Sequence, residues 1–413
     1  MKWITNAEVN SDDKSVTSWM LFGMLTQRAK YLGPYRGCAL VGKEPHGPEP
    51  LRRRVPINDA QHLWPEGQRV DLATDEDAAE LAVSLDVAFE PYKARESNAS
   101  SYNTRAFVVV QNGRIVYEYQ APGFTTSMPL LGWSMTKTLM ASLIGIRIGE
   151  GAMSLDSKVS RWFQDWKTTH GGNKSDITID ALLTMQSGLL WSEGYQVFQG
   201  DVIPMIMGDE SCSERPRRMG AYAEHGKSFY YASGTTNLLS EILRLSVKYD
   251  EAYWTYPARM LFDPIGAETM TMETDRVGTF NAAAFSYASA RDWARFGLLY
   301  LRDGVWIDGK RILPEGWVEY ATARRDSSKG IYGANFWLGG STAETETIEH
   351  DHTLLFHGIN SKMLHHTTFT TTGFKGQFVA VVPEKNAVIV RLALDPSRMD
   401  YGCIVSDITR VLP

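Results

Sequence analysis

Ser134 and Lys137, in the run Gly132-Trp133-Ser134-Met135-Thr136-Lys137, are the residues best suited to do chemistry. On a helix this spacing puts both on one face, so the lysine amine can lie beside the serine hydroxyl. The apolar stretch Thr138–Ile148 follows, stops at Gly149 and Gly151, and reads as a buried helix with a glycine C-cap. A serine where such a helix begins sits near unpaired backbone N–H groups and the positive dipole end, which favour a developing oxyanion. A lysine enclosed by the helix is deprived of water, and its disfavoured ammonium form lets it serve as a base. Taken singly, the pair also fits an N-cap serine and a surface lysine.

Two further motifs weigh against that plainer reading. Phe229-Tyr230-Tyr231-Ala232-Ser233-Gly234 again stands directly before a helical pattern, and a phenol there can pass a proton between nucleophile and leaving group. The Tyr-x-Ser register selects Tyr231, with Tyr230 as its rival; alone, either reads as a core tyrosine. Thr371-Thr372-Gly373-Phe374-Lys375-Gly376-Gln377 enters a predicted strand, and its glycines permit close backbone approach by a substrate. A strand-edge N–H at this point could complete an oxyanion hole with that of Ser134.

The elements that must position these residues are legible from both chain ends. Ala106–Glu118 holds two β-rich runs around Asn112-Gly113, the dipeptide that best tolerates the two positive φ values of a type I′ hairpin turn. Gln377–Val382 and Ala387–Leu392, joined through Pro383–Asn386, give a second strand pair, and the apolar spacing within Met399–Val411 predicts a helix packed on the same sheet. Between them Ile177–Leu183, Thr236–Leu243 and Ala290–Leu301 read as helices. The expected fold class is therefore α+β, an antiparallel sheet from both chain ends flanked by helices, with a mostly helical middle. The α/β part is expected at about 96–133 and 278–413, and the helical part at about 134–277. Residues 1–95, rich in Pro, Arg and acidic side chains with weak periodicity, read as an extension that wraps the body.

As a set and in this order, with Leu182–Leu189 between the first two, the motifs resemble those of the penicillin-recognising serine hydrolases. These comprise class C β-lactamases, DD-peptidases and related esterases and amidases. Within them the chain looks most like the 6-aminohexanoate-dimer hydrolase group. The resemblance runs from about Arg105 to Leu394 and includes Gly278-Thr-Phe-Asn281, Ala290-Arg-Asp-Trp-Ala-Arg-Phe-Gly297 and Gly373-Phe-Lys-Gly-Gln377. It implies a β-lactamase/transpeptidase-like fold and a hydrolase of amides or esters that needs no cofactor or metal. Ser134 would be the acylated nucleophile, Lys137 its base partner, Tyr231 the proton shuttle, and the backbone N–H groups of Ser134 and Phe374 the oxyanion hole. Tyr195, in Trp191-Ser-Glu-Gly-Tyr195, would contact the scissile amide, with Ser233, Thr371 and Gly373 as further substrate contacts. Two departures count against β-lactams: Thr371 stands where a Lys-Thr-Gly cation would be, with Lys375 four positions on, and Ser233 replaces the asparagine of the second motif. A β-lactamase or D-amino-acid-specific peptidase, or a non-catalytic penicillin-binding sensor, are the alternatives.

Other features carry less. His350, His352, His357, His365 and His366, beside Glu349 and Asp351, fit no common zinc spacing and read as a surface loop near the site mouth; a substrate contact and a metal site are the other readings. Glu193 reads as a substrate-side carboxylate or a solvated loop residue. Trp162, Phe163 and Trp166 read as core or interface. With 42 basic against 48 acidic residues the net charge is −6, which argues against a nucleic-acid binder, and the basic runs Arg52–Arg54 and Arg215, Arg217, Arg218 read as solvated. Cys38, Cys212 and Cys403 are too few and too scattered for a disulfide framework. The apolar stretch Val16–Leu25 is too short to span a bilayer and lacks a basic leader, so a cytoplasmic protein is expected, with a small-molecule substrate and homodimerisation left open.

Overall fold

The computed structural model describes residues 6–20, 25–41, 76–93, 102–167, 174–195, 200–208, 211–247, 249–340, 361–395 and 401–413. Arg52–Arg54 and the loop residues Glu349, His350, Asp351, His352 and His357 lie outside them.

The first elements are a four-stranded antiparallel meander, β1 (Asn6–Asn10), β2 (Ser15–Met20), β3 (Leu25–Tyr31) and β4 (Cys38–Leu40), and the helix α1 (Glu76–Phe89). The meander joins the body near β4. Glu273 accepts the Cys38 N–H at 2.9 Å, the Arg36 guanidinium lies 4.0 Å over the Trp254 ring, and the Thr271 hydroxyl donates to the Pro34 carbonyl at 3.0 Å. Helix α1 is built into the body itself, because Leu85 and Phe89 are fully buried and Phe89 stacks on Phe107 at 4.0 Å.

The main sheet contains β5 (Thr104–Gln111), β6 (Arg114–Gln120), β10 (Trp337–Leu338), β11 (Phe369–Gly373), β12 (Gln377–Val382) and β13 (Ala387–Ala393), antiparallel in the order β10-β11-β12-β13-β5-β6. Strands from the two ends of the unit are thus direct neighbours, Val108 facing Val390 and Val110 facing Val388. The hairpin turn between β5 and β6 has Asn112 at φ +49° and Gly113 at φ +77°, as the dipeptide predicts. A smaller sheet pairs β7 (Leu130–Leu131), β9 (Ser286–Ala288) and β8 (Thr271–Met272), in that order.

The central strands are continuously apolar because both faces are covered. Their alternation divides them between two cores. Val108, Val110, Val379, Val381, Val388 and Val390 face the larger core. There they meet α7 (Ala290–Leu301), through side chains such as Trp293 and Phe296. Phe107, Val109, Phe378, Ala380 and Ile389 face the other core, with Leu85 and Phe89 of α1 and Ile404 and Ile408 of α9 (Tyr401–Val411). A fully buried ion pair, Arg391 to Asp395 at 2.8 and 2.9 Å, ties the end of β13 to Thr104 and Asn103 at the start of β5.

The helical middle holds α2 (Thr136–Gly149), α3 (Ile179–Leu183), α4 (Glu214–Arg218), α5 (Ser233–Val247) and α6 (Asp250–Pro257), and α8 (Trp317–Thr322) follows α7. Every α2 residue from Thr136 to Ile146 is buried, which explains an apolar sequence with no polar stripe. Leu238, Leu239, Ile242 and Leu243 of α5 share its core. The threonine Thr178 caps α3, accepting the Ala181 N–H at 3.2 Å. Phe163 and Trp166 are core residues, and Arg217 on α4 pairs with Asp165 at 2.5 Å. Cys38, Cys212 and Cys403 form no disulfide with one another. No helix among the described residues is long and apolar enough to cross a membrane.

Candidate active site

Ser134 sits in a single 3-10 turn, Trp133–Met135, that runs straight into α2. The turn is strained: Trp133 has φ +49°, a conformation that bulky side chains rarely adopt. Contacts with the small sheet hold it. The Thr136 hydroxyl donates to the Trp133 carbonyl at 2.6 Å and accepts the Ser286 N–H at 3.0 Å, while the Gly132 N–H donates to the Ser286 carbonyl at 2.8 Å.

One helical turn on, Lys137 is 2% exposed, and its Nζ lies 3.0 Å from Ser134 Oγ and 2.7 Å from the Ala283 carbonyl oxygen. The Ala283 acceptor is itself fixed, since its N–H donates to the buried Asn237 side chain at 3.0 Å. Burial lowers the Lys137 pKa to about 8, against a smaller opposing effect from the Glu193 charge. An amine with that pKa is substantially neutral at mildly alkaline pH and can take a proton from the serine.

The tyrosines of the sequence reading part company here. Tyr231 is buried beside Ser134, its ring packed on Trp337 at 5.7 Å and Lys137 Nζ 5.1 Å from the ring centroid. Burial holds its phenol well above the ordinary value, with neighbouring Tyr332, Tyr195 and Glu193 adding to the shift. Tyr230 instead packs on the apolar cluster of Trp191 and Met205, which Tyr195 also joins, on the Glu193 side of the site. The Tyr195 hydroxyl donates to Glu193 at 3.4 Å beside Ser233 and Ser134, and its ring stacks on Phe374 at 5.6 Å.

Gly373 and Phe374 close the site from the end of β11, where Phe374 also meets Trp133 edge-on at 5.5 Å. Thr371 lies one strand turn deeper and is 2% exposed; its hydroxyl accepts from Thr138 on α2 at 2.6 Å. Ser233 begins α5, and its hydroxyl donates to Glu193 at 2.5 Å.

Glu193 is the residue the sequence did not disclose. Neither solvated nor open to a substrate, it is 0% exposed. Oε2 accepts from Trp191 Nε1 at 2.6 Å and the Ser233 N–H at 2.8 Å, and Oε1 accepts the Ser233 hydroxyl and, at 3.4 Å, that of Tyr195. The signal was the tryptophan two residues before it, a donor-only side chain that seeks an acceptor when buried. Of the histidines, His365 and His366 lie at the surface with rings 4.2 Å apart, and His365 bonds Thr367 beside Glu384. Among the described residues no group of three or more His, Cys, Asp or Glu side chains is placed to hold a metal.

The Beta-lactamase family profile matches residues 93–403. A 6-aminohexanoate-dimer hydrolase of Paenarthrobacter ureafaciens is 27% identical over 260 residues, 59% of this chain and 64% of that protein, so the chain spans less than two thirds of this relative's length. Among solved structures, a family VIII carboxylesterase superposes with a TM-score of 0.58 at 14% identity, covering 82% of this chain and 98% of the other. A class C β-lactamase mutant gives 0.58 at 15% identity, covering 82% and 99%. These two likenesses establish the fold, and the family profile goes further: the chain belongs to the Beta-lactamase family, whose members are serine hydrolases.

Proposed function

We propose that this protein hydrolyses an amide or ester through an acyl-enzyme on Ser134. The observation that carries the reading is the buried Lys137 Nζ, 3.0 Å from Ser134 Oγ and held by the Ala283 carbonyl at 2.7 Å. In the neutral amine one hydrogen stays on Ala283, which leaves the lone pair free to face the serine. Lys137 takes the Ser134 proton as Oγ bonds to the carbonyl carbon, and the N–H groups of Ser134 and Phe374 receive the oxyanion. As the tetrahedral intermediate collapses, the bond to the leaving nitrogen or oxygen breaks. Tyr231 hands that atom a proton and recovers one from the Lys137 ammonium. Water then enters by the reverse path and releases the acid. Tyr195 and Ser233 line the leaving-group side.

The substrate is an uncharged or linear acyl compound and not a β-lactam. At the position where a carboxylate-binding cation would stand, Thr371 is a buried neutral hydroxyl engaged by Thr138. The 6-aminohexanoate-dimer hydrolase relative makes a linear amide the first compound to try. Purified wild type and Ser134→Ala would be assayed against p-nitrophenyl butyrate, the linear aminohexanoate dimer and a chromogenic cephalosporin. Ester or amide turnover lost in the variant is the expected result. Unchanged turnover in Ser134→Ala would remove the nucleophile, and dominant cephalosporin turnover would replace the substrate class.

A further inference from the structure

The mechanism above leaves a buried carboxylate unused at the wall of the site. Glu193 receives four donors on two oxygens, and the shortest contact is the Ser233 hydroxyl at 2.5 Å. A serine hydroxyl has one hydrogen and two lone pairs. Because that hydrogen goes to Glu193, Ser233 Oγ can only accept on its remaining side. The Tyr195 hydroxyl, within reach of both Ser233 and Ser134, also has one hydrogen to give. It donates that hydrogen to Glu193 at 3.4 Å, which leaves its lone pairs for Ser134 and the substrate. Position helps: the Ser233 N–H on Glu193 is the first of α5, a helix of 15 residues whose dipole favours an anion there.

We propose that Glu193 is a positioning residue that sets the direction of the hydrogen bonds beside the nucleophile, making Ser233 an obligate acceptor and turning the Tyr195 oxygen toward Ser134. This rests on the reading of Ser134 as nucleophile and Lys137 as base. Its charge has a second effect, because it opposes the loss of the Lys137 proton from across the site. The titratable groups around the pair are Tyr195 on the same loop as Glu193, Tyr230 and Tyr231 before α5, and Tyr332 before β10.

Glu193→Gln keeps the shape but removes the charge and turns one acceptor into a donor. Its kcat on the best ester or amide is expected to fall on the order of 10- to 100-fold with KM little changed. The acid limb of kcat/KM should move to lower pH, since the charge that favours the ammonium is gone. Ser233→Ala should lower kcat similarly, and the double variant should be no worse than the worse single one, because both break one chain of contacts. Glu193→Asp should be slower than wild type with its limb where wild type has it, and it carries the test if the Gln variant does not fold. Losses that multiply in the double variant, or a limb that stays in place in Glu193→Gln, would reduce Glu193 to a structural residue and overturn the proposal. Ser134→Ala, run alongside, separates this from failure of the underlying reading: full turnover there indicts the nucleophile, whatever Glu193 does.

Discussion

The end of β11 approaches the nucleophile turn so closely that a Cβ on Gly373 would stand 2.1 Å from the carbonyl oxygen of Gly132. Gly373 is an ordinary extended strand residue, so what matters is its missing side chain. Backbone faces backbone, and neither can give way by a rotamer change. Gly373→Ala must therefore push β11 away from the Trp133–Met135 turn and separate the Ser134 and Phe374 N–H groups. A loss of kcat of about 100-fold is expected, with a stability cost of about 1–3 kcal/mol. Full activity in a folded Ala variant would show that these two amides do not act together.

Lys137 gives the activity a pH signature. Burial pulls its pKa down to about 8, so the neutral base is the minority form below that pH and the majority form above it. The kcat/KM profile should rise with pH and level off above about 8. Lys137→Ala should lower kcat by about 100- to 10,000-fold at every pH. A flat profile from pH 6 to 9 would assign the base elsewhere.

Tyr231→Phe separates chemistry from packing. The ring contacts with Trp337 at 5.7 Å and Tyr332 at 6.1 Å do not involve the hydroxyl. Thermal stability should stay close to wild type while kcat falls by about 100-fold or more. The defect should be larger for amides than for activated esters, whose leaving groups need no proton. Tyr230→Phe, altered in the cluster of Trp191 and Met205, should lower kcat less than Tyr231→Phe does.

A second titration belongs to the junction with the N-terminal meander. Glu273, beside Gly37 and hydrogen-bonded to the Cys38 N–H, has its pKa pushed from 4.5 up to about 7 by burial. The folded state then holds a proton that the unfolded chain has lost between these two values, so this group's contribution to stability falls as pH rises from about 4.5 to 7. Glu273→Gln keeps an acceptor for Cys38 without the ionisation. It should equal wild type near pH 4 and exceed it at pH 8 in urea unfolding. The same difference at both values would refute the assignment.

What the sequence disclosed and what it withheld follow from where the stabilising contacts originate. The hairpin at Asn112-Gly113, the strands β12 and β13 and the helix α2 carry their reasons locally, in turn chemistry or in apolar runs covered on every side. The β1–β3 meander was missed because its alternation is short and its apolar positions Val9 and Val16 stay exposed, so no buried hydrophobic face marks the strands. Helix α1 hides its Leu81, Leu85 and Phe89 stripe among acidic residues. At the site, Ser134, Lys137 and Tyr231 were legible because each stands at the entry to a helix. Glu193 was not, since apart from Trp191 its strongest donors, the Ser233 N–H and hydroxyl, lie 40 residues further on.

The position of β5 between β13 and β6 has a consequence for how the protein is made. During synthesis β5 and β6 emerge well before the partner of β5 on its other side, Ala387–Ala393. Until then the valine-rich edge of β5 stays unpaired, a template for any other extended chain. Nascent chains should therefore depend on holding chaperones until Ala387–Ala393 is made, and a chain truncated before Ala387 should aggregate even though its Ser134, Lys137 and Tyr231 are all present.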